Sequence, residues 1–390
     1  MTTRCRSLGS GIGFARKTVP MMMATTTVFK TSTASSSYAG YSSTRRKSYS
    51  VSLAMAVPSS LPSRGGFLSK GKYLSTKEKA RGTGRIGGVV QTRARLGNDE
   101  LQKVAEEAAR AGAAVVSSAV EKPRNITLKG ATDLVTETDT ASENAVLEVI
   151  RKYYPDHAVL GEEGGVSGDV SSEYLWCVDP LDGTTNFAHG YPSFAVCVAC
   201  LRHTLPVAAV VIEFAGGPGT WVQREYSAKR NGGATMNGQS LRVSKTHELG
   251  SSLLVTGFGY EHDEAWLANL DLFREFTDIT RGVRRLGSAA IDMCHVASGI
   301  TDGYWEYRLK PWDMAAGVLI AEEAGATVTT MDGRAFSVFD RSVLVSNGYL
   351  HEAILEKTEP VTAKLLDRGV DLSQWFIPEG YSVHSGAQLE

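Results

Sequence analysis

WCVDPLDGTTNFAHG, residues 176–190, is the stretch from which the rest of this chain is read. In it Asp179 and Asp182 flank Pro180 and Leu181 at the end of the apolar run 174–178. That run reads as a buried strand emptying into a Gly-Thr-Thr turn. Carboxylates fixed at such a strand end are hard oxygen ligands, and Gly183, Thr184 and Thr185 add backbone N–H groups able to receive a phosphate. These are the parts that Mg²⁺-assisted hydrolysis of a phosphate ester requires.

Outward from this stretch, helices and strands mix without a regular βαβ repeat. Asn98 and Asp99 can cap a helix reaching about residue 120, which Pro123 stops. A second helix is expected over about 139–153, with Thr140 and Glu143 spaced as a capping box. Strands are expected at 157–160, 174–178, 194–201, 207–213 and 220–226, with the glycine-rich turns 216–218 and 231–233 among them. Beyond residue 241 a second set follows, with a strand at 253–256 and helices near 264–276, 288–298 and 313–325. Further strands are expected around Tyr304, Val328 and Val343. Residues 371–390 contain Trp375 and Phe376 but show no clear periodicity.

Several acids fall at element ends. Glu162 and Glu163 follow the short strand at 157–160 and precede Gly164 and Gly165, within reach of the Asp179 turn. Asp313 follows Pro311 and Trp312 and opens an apolar helix, and Asp139 stands at the start of its own helix. Taken singly, each reads better as a helix cap or a solvated turn residue than as a ligand.

Composition narrows the rest. A 390-residue chain with 42% hydrophobic residues can bury a sizeable core. Its formal net charge of -1 supplies no general attraction for nucleic acid or an anionic membrane. No apolar run approaches the roughly 20 residues of a membrane span. Up to Lys77 there is no Asp or Glu, while Ser, Thr, Arg and Lys dominate. Such a segment reads as an organelle leader, plastid rather than mitochondrial, or as a basic tail. Of five cysteines, Cys5 lies in that leader and Cys177, Cys197, Cys200 and Cys294 lie in apolar segments as small hydrophobes. Cys197 and Cys200 sit three apart on an expected strand, which sends them to opposite faces and argues against a redox or zinc pair.

Three motifs in order carry a resemblance: GEE at 161–163, DPLDGTTNF at 179–187 and WDMAAGVLIAEEAG at 312–325. With them, residues 109–355 resemble the inositol monophosphatase family of Mg²⁺-dependent, lithium-sensitive phosphatases. The stretches 122–139, 257–266 and 281–287 look most similar to its plastid-type plant members. The resemblance implies a layered αβαβα sandwich of sugar-phosphatase type, an α/β (α+β) fold. It would comprise a catalytic region over 96–365, divided into an α+β half (96–240) and an α/β half (241–365). A plastid transit peptide would cover 1–95, a C-terminal tail 366–390, and the protein would be a homodimer in the plastid stroma.

Residue by residue, the resemblance makes Glu162, Asp179 and the Leu181 carbonyl ligands of one Mg²⁺. Asp179, Asp182 and Asp313 would hold a second, with a third, weaker ion near Glu162. It pairs Thr184 with Asp139 to deprotonate or orient a water, with Glu162 assisting. Gly183, Thr184 and Thr185 would receive the phosphate, beside Glu162 and Asp313, and Lys129 matches a basic residue of the family near the metal loop. Ala289 and Glu306 would meet the alcohol part, since a carboxylate can accept from neighbouring hydroxyls of a polyol. The expected reaction is hydrolysis of myo-inositol 1-phosphate, with galactose 1-phosphate beside it. The alternatives are histidinol phosphate, fructose 1,6-bisphosphate or 3'-phosphoadenosine 5'-phosphate as substrate, or a non-catalytic regulatory member, against which the intact acid set argues.

Overall fold

The computed structural model describes residues 97–122, 126–128 and 134–382. The expected transit peptide over 1–95 and Lys129 lie outside the described residues. The chain opens with α1 (Asn98–Ala119), a short hairpin of β1 (Ile126–Leu128) and β2 (Leu134–Thr136), and α2 (Glu137–Tyr153). There follow β3 (Ala158–Gly161), β4 (Gly165–Ser167), β5 (Tyr174–Asp182), the short α3 (Thr184–His189) and β6 (Phe194–Arg202). Next come β7 (Leu205–Ala215), β8 (Val222–Lys229), β9 (Gly233–Met236) and β10 (Gln239–Ser240). The second set is β11 (Leu253–Thr256), α4 (Glu264–Ile279), β12 (Gly282–Arg284), α5 (Ala289–Ala297) and β13 (Gly303–Tyr307). It ends with α6 (Pro311–Glu323), β14 (Thr327–Thr329), β15 (Ser342–Ser346) and α7 (His351–Asp367).

Two sheets organise these elements. One has the order β10-β9-β8-β7-β6-β5-β3-β4, antiparallel except where β3 runs parallel to β5. The other has the order β12-β11-β13-β15-β14, with β11 parallel to both β12 and β13. All nine residues of β5 are buried, because helices cover both faces of its sheet. On one face Trp176, Val178 and Val196 pack with Leu101 and Ala108 of α1 and Val146 of α2. On the other, Leu175, Cys177 and Cys197 pack with Ile291 of α5 and Leu319 of α6, which also touch Tyr304 and Val343 of the second sheet. Beyond that sheet, Phe276 of α4 and Ile354 of α7 close on Trp305 and Leu344. The layers run helix, sheet, helix, sheet, helix, as expected for the αβαβα sandwich.

Alternation along β6 sends Cys197 and Cys200 into different cores. All four described cysteines are free and buried, and burial pushes their thiols up, away from the reactive thiolate. Among the described residues no helix is long and apolar enough to cross a membrane.

The expected start of α2 is corrected. The helix begins at Glu137 and is capped by Thr136, whose Oγ1 accepts from Thr138 N at 3.2 Å while Asp139 accepts from Thr136 N at 2.9 Å. Thr140 and Glu143 lie inside the helix. The Glu143 carboxylate instead accepts from Glu163 N (3.0 Å) and Gly164 N (2.7 Å). At α1 the residue before the helix is Gly97, with no side-chain cap, so neither Asn98 nor Asp99 has that role.

Candidate active site

The register of β5 against β6 sets the geometry of the central motif. Asp179 pairs with Cys197 and Asp182 with Ala195, so three steps on β5 face two on β6. In a regular strand an offset of three points side chains to opposite faces. The extra residue makes a bulge, which returns both aspartates to one cleft. Pro180, lacking an N–H, suits a position where the ladder is interrupted. Leu181 packs its side chain into the core beneath α1 and α2, while its N–H donates to Asp179 Oδ1 at 3.0 Å.

The turn after β5 requires glycine. Gly183 has φ +86°, and a Cβ there would stand 2.8 Å from Ser193 O and 3.1 Å from Gly287 O. Asn186 then fastens α3 to both neighbouring segments, donating to Ser193 O (2.6 Å) and Leu286 O (2.8 Å). Asp182 Oδ2 accepts from Ser288 Oγ (2.6 Å) and from Ala290 N (2.9 Å), which joins the end of β5 to the start of α5.

Asp313 is the third residue of α6, and its Oδ2 accepts from Lys310 N at 2.8 Å. The helix-cap reading of this residue is therefore correct, yet Asp313 also lines the cleft. Glu162 lines it too, whereas Glu163 does not. The segment carrying both is held by the Glu143 carboxylate and by Glu162 N donating to Val178 O at 3.1 Å.

Asp139 and Thr184 meet although 45 residues separate them in sequence. Thr184 Oγ1 lies 3.0 Å from both Asp139 Oδ1 and the Leu181 carbonyl. Asp139 is fully buried, and its other oxygen accepts from Thr136 N and from Thr136 Oγ1 at 2.5 Å. Across the cleft, Ala289 and Glu306 belong to the wall. Glu306 Oε2 accepts from Tyr304 OH at 2.5 Å, the partner that its burial demands. Thr185 is exposed and does not line the cleft, so only its backbone N–H remains for the role expected of it.

The cleft has a volume of about 100 Å³ and is strongly acidic. Burial, reinforced by the charges of Glu162, Asp182 and Asp313, holds Asp179 well above the usual carboxylate range. Asp182 is pushed up to about 6, burial outweighing its bonds to Ser288 and Ala290. Glu306 is pushed up to about 8 by burial, opposed by the Tyr304 hydrogen bond. The lining contributes carboxylate and carbonyl oxygens and neither histidine nor cysteine, the donor chemistry of Mg²⁺ rather than zinc. Among the described residues, no group of three or more acidic, histidine or cysteine side chains is gathered closely enough to hold a metal ion by itself.

Other residues of the site are not apparent from the motifs. Ser288 reads only as a helix start, Tyr304 as a strand aromatic and Arg285 as a surface cation, yet Ser288 and Arg285 line the cleft and Tyr304 holds Glu306. Asp292 also lines it, 1% exposed, with neither carboxylate oxygen hydrogen-bonded among the described residues. Its one signal in the sequence is an acid set within the apolar helix AAIDMCHVA.

The sequence pattern of the inositol monophosphatase family matches residues 97–363. The chain is 63% identical over 297 residues to a chloroplastic phosphatase named IMPL1 from Arabidopsis thaliana, covering 76% of this chain and 80% of that protein. It is 42% identical over 253 residues to an inositol-1-monophosphatase of Synechocystis, covering 65% of this chain and 86% of that one. The solved structure of inositol monophosphatase from Anabaena shares the fold with a TM-score of 0.59 and 38% identity, over 68% of this chain and 98% of that one. A match that starts at the first described residue and runs into α7, joined to a shared fold, makes this chain a member of the inositol monophosphatase family and a phosphoric monoester hydrolase.

Proposed function

We propose that the protein hydrolyses myo-inositol 1-phosphate to myo-inositol and phosphate in the plastid, with galactose 1-phosphate as a second substrate of the same pocket. The observation that carries the reading is the placement of Glu162, Asp179, Asp182 and Asp313 around one cleft, with Thr184 on its floor and Glu306 in its wall. Plastid residence is supported by the acid-free leader and by the chloroplastic relative. The organisation into a leader over 1–95, catalytic halves over 96–240 and 241–365 and a tail over 366–390 belongs to the same proposal, as does a homodimer.

In this reading Glu162, Asp179 and the Leu181 carbonyl hold one Mg²⁺ and Asp179, Asp182 and Asp313 a second, with a third, weaker one near Glu162. When bound, Mg²⁺ supplies charge neutralisation at the phosphoryl group and the leaving oxygen, and lowers the pKa of the attacking water. The chain's own residues do the rest. Thr184 Oγ1 takes a proton from that water while its own passes to Asp139 Oδ1, because a hydroxyl alone is too weak a base. Glu162 would assist in orienting that water. Gly183 lets the phosphate approach the backbone of the turn, where the N–H groups of Thr184 and Thr185 can donate to it. Ser288 and the Ala290 N–H fix which Asp182 oxygen remains for the cleft. Glu306, held by Tyr304, accepts from the hydroxyls of the polyol beside Ala289.

The test is phosphate release with Mg²⁺ from inositol 1-phosphate, galactose 1-phosphate, histidinol phosphate, fructose 1,6-bisphosphate and 3'-phosphoadenosine 5'-phosphate. Inositol 1-phosphate should be preferred, and Glu306→Gln should lower kcat/KM for it by about 10–100-fold, the loss of one charge-assisted contact. Preference for another compound would retain the mechanism and overturn the pocket assignment. No turnover of any of them would favour a non-catalytic member.

A further inference from the structure

The family pattern ends at residue 363, but the chain continues past the end of α7 as an irregular segment over 368–382. Most of its residues are exposed, but Leu372 and Tyr381 are both 6% exposed, so it is anchored at separate points along its length. Its first part docks on the cleft wall that carries Asp313. Arg308 Nη1 donates to Asp371 O at 2.9 Å, and Trp375 Nε1 donates to Leu309 O at 2.9 Å. The Arg341 guanidinium lies 4.5 Å above the Trp375 ring, and Phe376 stands edge-on to Trp312 with ring centres 5.0 Å apart. Trp312 is the residue immediately before Asp313. The last part crosses to the other half, where Tyr381 OH donates to His203 O at 2.8 Å, in the turn between β6 and β7. β6 is the strand paired with β5, which carries Asp179 and Asp182.

The held wall is not a relaxed one. Arg308 adopts φ +69°, a conformation that a residue with a side chain keeps only when its surroundings impose it. Its Nε and Nη2 donate to Asp263 Oδ2 at 3.0 and 2.6 Å, which ties the wall to the start of α4. Asp313 and the aspartates of β5 lie on different halves of the molecule, joined by the packing of α6 on β5 and β6 and, at the periphery, by the segment over 371–381. We propose that residues 371–381 are a positioning strap of the active site, holding Asp313 in register with Asp179 and Asp182. The proposal rests on the reading of those acids given above.

The test uses the full-length chain with Phe376→Ala and Tyr381→Phe, singly and together. Phe376 is 44% exposed and Tyr381→Phe removes one hydroxyl, so both variants should fold. Hydrogen exchange is measured without added metal over residues 308–313 and 371–382, and phosphate release from inositol 1-phosphate is followed against Mg²⁺ concentration. Faster exchange over 308–313 is expected. The Mg²⁺ concentration for half-activation should rise about tenfold with a fall in kcat and a KM changed less than about twofold, the signature of misplaced ligands. Phe376→Tyr, which keeps the aromatic contact, should restore both. If the strap exchanges faster while residues 308–313 and the Mg²⁺ dependence match the wild type, the strap has no positioning role. Full activity in Asp313→Asn would overturn the acid assignment, and the strap's catalytic role with it, whatever the exchange shows.

Discussion

Thr184 is where the proposed chemistry depends on the fewest atoms. Its hydroxyl joins Asp139 to the Leu181 carbonyl. Thr184→Ala should therefore lower kcat by about 10²–10⁴-fold, the usual contribution of positioned acid–base catalysis, and leave KM within a few-fold. Thr184→Ser should recover most of the rate. Steady-state kinetics on the two variants decide the point, and equal losses in both would leave the hydroxyl with only a structural part. Gly183 is the contrasting case, a residue without chemistry that the turn cannot replace. Gly183→Ala places a side chain at φ +86° and against the Ser193 carbonyl, and should cost about 1–3 kcal/mol in denaturant unfolding. An unchanged midpoint would show that the turn can rearrange.

At the scale of elements, the bulge in β5 explains why two aspartates three apart converge, and it also marks how far sequence reasoning reached. The apolar run 174–178 identified the strand, but an offset of three on a regular strand would have separated the carboxylates. The register shift depends on the pairing with β6, a non-local partner that no local pattern reports. Likewise the start of α2 lies two residues earlier than its spacing suggested, because Thr136 caps it and Glu143 binds the Glu163 and Gly164 amides instead. α7 escaped notice since Pro360 and polar Thr358 and Thr362 interrupt its apolar face, although both threonines are buried. The motif acids were legible because their residue types are rare in that order, whereas Ser288, Asp292 and Tyr304 are ordinary residues that only packing brings to the cleft or to Glu306. At the start of α7, His351 makes a separate prediction. Its ring joins Thr329 Oγ1 of β14 and Ser346 Oγ of β15, both at 3.0 Å, and burial lowers its pKa from the ordinary 6.5. The unfolded chain then binds the extra proton first, so stability present above pH 6.5 is lost as pH falls below it. Urea unfolding between pH 7.5 and 5.5 should show that slope in the wild type and a flatter one in His351→Gln; equal slopes would remove His351 as its source.

For the whole molecule, the layered fold brings acids from separate stretches of chain to one cleft. Glu162 comes from the loop after β3, Asp179 and Asp182 from β5 in the first sheet, and Asp313 from α6 between the sheets. Burial, and then their crowding, works against ionisation of Asp179, and a bound cation would offset both. A chain that folds around such a cluster should gain stability from the ion it was built to hold, by about 2.7 kcal/mol at a hundredfold excess over Kd. Asp179 is the ligand shared by both principal ions in the proposed site, so its removal is the most direct challenge to the account. The measurement is calorimetric titration of Mg²⁺ into the full-length protein and into Asp179→Asn, with thermal unfolding followed on the same samples. The account predicts saturable binding and a raised Tm in the wild type, both lost in a variant that remains folded. Equal Mg²⁺ binding by the two proteins would contradict it.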